Sequence, residues 1–296
     1  MTDHVAAEQG PEEARGPGSS GDTGARDRRP TWGLVLGAVF VLVAILAAVL
    51  APVLTPFDPT EQRLERRLEG PTGGHPLGLD ELGRDIFSRL VFGARVSVGV
   101  GLTVVLLAGI LGTVIGSVSG YFGGRTDAVL MRTADVFMAF PGILLAIALV
   151  AVLGPALRNV VFALVTIGWV GYARLVRAQV LQVREREFVA AARATGTGGG
   201  SILVRHILPN VLPMLLVQAS LGMAAAILAE AGLSFLGLGI QPPTPSWGAM
   251  INAGRGHLLD APHLALFPGL AILVTVMGLN FLGDGLVDYL DPNRSR

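Results

Sequence analysis

The 296-residue chain contains no cysteine and no lysine, and only 15% of its residues are charged. Without cysteine, disulfide bonds and thiolate metal sites are excluded. Without lysine, the chain lacks the phosphate-binding residue of a GxxxxGK[ST] loop, so it is not itself a P-loop ATPase. HExxH, GxSxG and CxxC motifs are also absent, and the five histidines are not spaced as a ligand cluster. We therefore predict no catalytic centre, no metal site, no cofactor and no nucleic-acid partner.

Apolar residues make up 51% of the chain and the mean hydropathy is +0.60, which is typical of a multi-span membrane protein. Six apolar runs carry no charged residue, and about 20 apolar residues are enough to cross a bilayer. The fourth run has only 15 residues, but Arg158 and Arg174 at its ends can reach opposite headgroup layers. We predict an all-α protein with six transmembrane helices. The six runs are residues 30–57, 96–124, 136–157, 159–173, 207–229 and 264–283.

Six crossings place both termini on one side of the membrane. With the termini inside, 14 arginines lie inside and 8 outside, which agrees with the positive-inside rule. The polar first 30 residues have no apolar periodicity and are predicted to be a disordered cytoplasmic tail. The predicted organisation is a tail (1–30), a first transmembrane helix (31–57), an external segment (58–95), a core of five transmembrane helices (96–286) and a second tail (287–296).

Three glycines spaced by four, Gly112, Gly116 and Gly120, lie in the second apolar run. Small residues at this spacing allow the backbones of two membrane helices to approach closely. The contact is predicted to lie within the chain, with a contact to a second subunit as the alternative.

Residues 184–210, which we call the coupling segment, are basic and rich in glycine and separate two long apolar runs. Good helix formers precede Gly196, and a second short helix is predicted over 201–208, ending at Pro209. A helix, a glycine turn and a second helix outside the bilayer could dock into a partner protein. An ordinary solvated loop is the alternative.

The coupling segment resembles the cytoplasmic coupling loop of ABC importer permeases, whose pattern is Glu-Ala-Ala, three residues, Gly, nine residues, then Ile-x-Leu-Pro. The docking residues that this resemblance implies are Glu187, Ala191, Ala192, Arg193, Gly196, His206, Leu208 and Pro209. Two positions depart from the pattern. Ala190 occupies the Glu position, with Glu187 one helical turn earlier, and His206 occupies the Ile position.

Four further blocks are similar to the peptide and nickel branch of this family. They are HPLGLDELGRD (75–85), GYFGGRTDAVLMRTAD (120–135), EAGLSFLGLGIQPPTPSWGAMI (230–251) and NFLGDGLVDYLDP (280–292). The resemblance implies a type I ABC importer permease in a prokaryotic cell membrane, with di- or oligopeptides as solute and nickel or another small solute as the alternative. It also implies a second permease, two cytoplasmic ATP-binding subunits and an extracytoplasmic solute-binding protein.

A secondary transporter driven by an ion gradient is the competing function. Such proteins place ionisable residues near the middle of the membrane and contain inverted repeats. This chain keeps charge out of its mid-span positions and has no visible inverted repeat. Gln218 and Asn280 are polar residues within the spans, but they do not identify a solute.

The external residues also allow two interpretations. Asp80 is a plausible helix N-cap, and Asp85 and Arg89 are spaced as an i, i+4 ion pair, which predicts an amphipathic helix at the outer interface over 75–97. The alternative is a surface that receives the solute-binding protein.

Glu230 is expected at the membrane edge, either as an exposed carboxylate or as a functional one. Trp247 is expected to anchor a returning loop at the interface over the outer vestibule.

Overall fold

The computed structural model describes residues 32–290, so the predicted tail 1–30 and the end of the second tail lie outside the described residues. Within this range the chain is helical. Five helices are long and apolar enough to cross a membrane when residues 199–235 are counted as one. The helices are α1 (Trp32–Leu54), α2 (Ile86–Phe122), α3 (Gly124–Met138), α4 (Gly142–Leu153), α5 (Leu157–Val183), α6 (Glu187–Ala194), α7 (Gly199–Ile202), α8 (Leu208–Phe235), α9 (Trp247–Gly254) and α10 (His263–Leu290).

The third predicted span, 136–157, is not one straight helix. Helices α3 and α4 meet at an angle of 81°. Pro141 at the N-cap of α4 explains the break, because proline disfavours helical backbone at the residue before it. The prediction of a single helix here was wrong because the apolar run was counted without weighing its proline.

The bent pair counts as a sixth candidate span when its two helices are taken together. The guanidinium of Arg184, just after α5, donates a hydrogen bond to the carbonyl of Gly120 in the last turn of α2 (2.8 Å). The chain between these residues therefore leaves one end of the bundle and returns to it. If the 27-residue α5 is a full span, α3 and α4 together cross in the other direction, and the chain has the six crossings that the sequence predicts.

The fourth span is longer than predicted. Helix α5 runs from Leu157 to Val183, whereas the charge-free run covers only 159–173. The helix continues through Arg174 and Arg177 because arginine is a good helix former. Both side chains also have acidic partners on α3. Arg174 pairs with Asp135 (2.5 Å), and Arg177 pairs with Asp127 (2.5 and 2.6 Å). A charged residue ends an apolar run, but it does not end a helix, so the charge-free run underestimated the length of α5.

The start of α2 also differs from the prediction. Asp85, not Asp80, is the N-cap, and its carboxylate accepts a hydrogen bond from the backbone N–H of Ser88 (2.7 Å). Asp80 instead closes a turn by accepting from the N–H groups of Leu82 and Arg84 (both 2.9 Å). Residues 75–85 are therefore not helical, and the helix that begins at Ile86 is continuous with the second span.

The predicted ion pair between Asp85 and Arg89 is replaced by two other buried contacts. Arg89 lies 3.3 Å from the carboxylate of Asp80. Asp85 contacts Nδ1 of His75 at 2.8 Å, and both side chains are buried. These contacts fold the segment before α2 into a compact cap on this end of the bundle.

Helix α2 packs closely against α5 along its glycines. A Cβ added to Gly112 would lie 2.6 Å from the carbonyl oxygen of Trp169, and one added to Gly116 would lie 2.3 Å from that of Ala173. At Gly120 the corresponding distance to the carbonyl oxygen of Arg177 is 2.9 Å. All three glycines thus face the backbone of another helix of the same chain.

Candidate functional site

The coupling segment begins with α6, which packs one face against the end of the bundle. Val189 is fully buried and lies in an apolar cluster with Val180 and Val183 of α5 and with Ile202 and Ile207 from the second half of the segment. Ala192, one turn after Val189, is half-buried against the same cluster. This burial fixes the orientation of α6, so its opposite face is turned outward.

Gly196 ends α6 in a Schellman motif. Its φ is +80°, a left-handed conformation that glycine adopts without the steric cost of a Cβ atom. The N–H of Gly196 donates to the carbonyl of Arg193 (3.0 Å), and that of Thr197 donates to the carbonyl of Ala192 (3.1 Å). The glycine of the coupling pattern therefore occupies the position whose backbone reverses the chain.

The second half of the segment differs from its prediction. Gly199 and Gly200 belong to α7, and the helix continues through a π-helical turn (Leu203–Ile207) into α8 instead of ending at Pro209. Pro209 has no N–H to donate to the carbonyl four residues earlier, and the wider turn lies just before it. Asn210 supplies a side-chain donor to the carbonyl of His206 (2.7 Å). Gly196 and Gly198 do lie in the break between α6 and α7, as predicted. Gly199, Gly200 and Pro209 were wrongly taken as helix breaks, because propensity was not weighed against packing.

The docking residues that the resemblance implies are all exposed or half-buried. Glu187, Ala191, Arg193, Gly196 and Pro209 are exposed, whereas Ala192, His206 and Leu208 are half-buried. Phe188 and Val204 add exposed apolar area, with 39% and 61% of their surfaces accessible. Apolar and small residues bordered by arginines form a surface suited to contact with another protein.

The coupling segment is tied to the end of α2. Besides the hydrogen bond from Arg184 to Gly120, the guanidinium of Arg193 lies 5.9 Å from the ring centroid of Tyr121. The same ring lies against Gly199, where an added Cβ would meet its hydroxyl at 2.9 Å. Tyr121 therefore contacts both halves of the segment.

The sequence interpretation missed the ion pairs that attach α3 to α5. Asp127 accepts two hydrogen bonds from Arg177 and a very short one from Ser119 of α2, so one carboxylate joins three helices. The signal available in the sequence was the spacing of Arg174 and Arg177, which places both on one face of α5. Their partners could not be identified, because they lie 39 and 50 residues away along the chain.

At the opposite end of the bundle, Glu230 is fully buried, so its expected exposure at the outer mouth is wrong. The Ser97 hydroxyl of α2 donates to one carboxyl oxygen (3.0 Å), and the Ser234 hydroxyl of α8 donates to the other (2.7 Å). The hydroxyl of Ser246, which caps α9, also faces this carboxyl group. Glu230 therefore joins two spans and the loop that follows α8.

Trp247 is also buried, with 3% of its surface exposed, and does not anchor at the membrane interface as predicted. Its indole N–H donates to the carbonyl of Leu90 (2.9 Å), and its backbone N–H donates to the hydroxyl of Ser97 (3.4 Å). Gly248 brings α9 against α8, where an added Cβ would lie 2.5 Å from the carbonyl oxygen of Ala231. The loop after α8 thus returns to the bundle and is fixed there.

Two family models match this chain. Residues 112–296 match the binding-protein-dependent transport system inner membrane component, and residues 32–71 match the N-terminal transmembrane domain of oligopeptide transport permease C. The first match includes α3–α10 and the whole coupling segment, and the second includes α1.

Curated relatives extend over most of the chain. The dipeptide transport system permease protein DppC of Alkalihalophilus pseudofirmus is 48% identical over 232 residues, which are 78% of this chain and 76% of the relative. The glutathione transport system permease protein GsiD of Pectobacterium atrosepticum is 47% identical over 228 residues, 77% of this chain and 76% of the relative. GsiD of Escherichia coli O157:H7 is 47% identical over 223 residues, 75% and 74% of the two chains.

Proposed function

Because the chain belongs to the family of inner membrane components of binding-protein-dependent transport systems, we propose that its coupling segment is the docking site for a cytoplasmic ATP-binding subunit. The chain is a multi-pass permease subunit of a bacterial ABC importer for peptides. ATP-binding and solute-binding partners follow from membership of this family. Their number, the identity of the second permease and the docking residues are part of the proposal.

One observation carries the proposal. The coupling segment presents an exposed surface of small and apolar residues, while its other face is buried in the same cluster as α5. A partner that pushes on this surface therefore pushes on helices and not on a flexible loop. This is the mechanical requirement for transmitting movement from an ATPase.

The connections of the segment indicate where that movement goes. The segment is continuous with α8 through the π-helical turn and follows α5 after only a short turn. Ion pairs from α5 to α3 and the close contact with α2 carry the displacement further. In the proposed mechanism, closure of the ATP-binding subunits moves α5 and α8 together, and the permease pair alternates between outward and inward openings.

The solute is proposed from the relatives, which transport dipeptides and glutathione by name. Both are small molecules that contain amide bonds, so we propose di- and oligopeptides as the solute class for this chain. We also propose one homologous permease as partner, with two ATP-binding subunits and one extracytoplasmic solute-binding protein.

The experiment is affinity purification of the tagged chain from its native membrane in mild detergent, followed by quantification of the proteins that copurify. We expect Ala191→Asp to reduce recovery of the ATP-binding subunit at least fivefold, because a charge enters an exposed apolar contact. The same change at the opposite end, Leu259→Asp, is the control, since Leu259 is fully exposed in the loop before α10. Equal recovery with both variants would exclude the α6 surface as the docking site.

A further inference from the structure

A partly open cavity of about 310 Å³ lies between α2, α4, α5 and α8. Its walls are formed mainly by valine, leucine, isoleucine, alanine and glycine. The space stays open because several lining positions carry little or no side chain: Gly142, Ala146, Gly168 and Ala225. The volume falls at the lower end of the range of about 300–1,000 Å³ found for small-molecule sites.

Two residues bring polar atoms to this apolar cavity, Tyr172 of α5 and Gln218 of α8. The hydroxyl of Tyr172 lies next to Gly222, where an added Cβ would be 2.4 Å away, and it donates to the backbone carbonyl of Gln218 (3.3 Å). Tyr172 is thus already partnered. It supports α8 at the position where Gln218 enters the cavity wall.

The side-chain amide of Gln218 makes no hydrogen bond within residues 32–290. It lies beside Gly171, where an added Cβ would be 3.9 Å from Nε2, the amide nitrogen. A primary amide offers two donors and an acceptor, and leaving them unpaired at membrane depth is unfavourable. A lipid chain offers no partner, so the amide must pair with water or with another polar molecule that enters the cavity.

We propose that this cavity is a contact site for the transported solute, and that the side-chain amide of Gln218 pairs with the amide of the solute's peptide bond. A peptide group offers one N–H and one C=O, which match the acceptor and donors of the glutamine amide. Among residues 32–290, no charged side chain lines the cavity. The site therefore recognises the backbone of a small peptide and discriminates little between its side chains.

The cavity also lies where the proposed movement acts. Tyr172 lies on α5 and Gln218 lies on α8, and both helices lead directly to the coupling segment. Displacement of the coupling segment would therefore change the width of the cavity. This inference rests on the proposed function, and it adds a residue that contacts the solute.

The test uses the complete transporter in proteoliposomes, with saturating peptide-loaded binding protein and radiolabelled alanylalanine as the probe. Gln218→Met keeps the volume of the side chain and removes its hydrogen-bonding groups. We expect alanylalanine uptake per ATP hydrolysed to fall about tenfold, which corresponds to about 1.4 kcal/mol. Leu221→Met is the matched control on the same helix, outside the cavity, and is expected to transport as the wild type does.

A second probe, the ester analogue of alanylalanine, lacks the peptide N–H. The wild type is expected to transport the ester more slowly than alanylalanine. Gln218→Met is expected to transport the two at equal rates, after correction for their affinities for the binding protein.

Normal alanylalanine uptake by Gln218→Met would overturn the inference and leave the proposed function intact. Loss of the partner permease from the Gln218→Met complex would also overturn it, because a neighbouring subunit would then fill the cavity. Absence of ATP-dependent uptake by the wild type would instead contradict the proposed function.

Discussion

Glu230 is a carboxyl group inside an apolar bundle, and its hydrogen-bond partners within the described residues are hydroxyl groups. Each hydroxyl that loses its acceptor in such a place costs about 1–3 kcal/mol. The carboxyl group holds Ser97 and Ser234, and Ser97 in turn accepts a hydrogen bond from the backbone of Trp247. One residue therefore stabilises the attachment of α9 to the two spans.

We predict that Glu230→Ala lowers the free energy of unfolding by about 2–4 kcal/mol, since it removes the acceptor of the buried Ser97 and Ser234 hydroxyls and opens a cavity. Glu230→Gln retains one acceptor oxygen and is expected to lose less. The measurement is thermal unfolding of the purified protein in detergent. Glu187→Ala, at an exposed position, serves as the control and should change the melting temperature little. If Glu230→Ala melted like the wild type, the hydroxyl network would not contribute to stability.

At the scale of elements, the contact between α2 and α5 depends on glycine. The two backbones approach so closely at Gly116 that an added Cβ would lie 2.3 Å from a carbonyl oxygen, and backbone cannot move aside as a side chain can. Gly99 lies in the same helix, with no atom within 4 Å of an added Cβ. Replacing glycine by alanine at each of these two positions therefore separates the effect of helix propensity on stability from the effect of helix packing.

Gly116→Ala is expected to destabilise the protein by about 1–3 kcal/mol, because it overpacks the contact between the two helices. Gly99→Ala is expected to be neutral or to stabilise by about 0.5–1 kcal/mol, because alanine favours the helix. Both variants are compared by thermal unfolding in the same detergent. Equal effects at the two positions would show that α2 and α5 can separate enough to accept a methyl group.

For the whole molecule, the bent pair of α3 and α4 determines which surfaces share a side of the membrane. If the pair crosses, Thr126 near the start of α3 and Leu259 in the loop before α10 are separated by three crossings and lie on opposite sides. If the pair only dips into the membrane and returns, two crossings separate them and they lie on the same side. Both residues are exposed.

Because the chain contains no cysteine, this difference can be measured with single introduced cysteines, and no native cysteine has to be removed first. Thr126→Cys and Leu259→Cys are introduced singly and treated with a membrane-impermeant maleimide in intact spheroplasts and in inside-out vesicles. We expect Leu259→Cys to react in spheroplasts and Thr126→Cys to react only in inside-out vesicles. Reaction of both variants in the same preparation would contradict the six-crossing topology.

The sequence by itself determined the all-helical membrane class, the spacing of glycines on α2 and the position of the glycine turn at Gly196. These features depend on local properties: apolar runs of sufficient length, a helical repeat, and a residue that tolerates positive φ. The coupling pattern likewise spans a short stretch of chain, so it could be recognised from the residues alone. The family and the general function followed from it and agree with the comparisons.

Only the tertiary structure decided the partners of the charged and polar groups. Asp80 was expected as a helix N-cap, Asp85 as the partner of Arg89 and Glu230 at the membrane edge. Each is instead held by other contacts within the folded chain. Glu230 and Ser97 are 133 residues apart in sequence. Local periodicity carries no information about a contact across such a distance, because the contact exists only once the two spans have packed together.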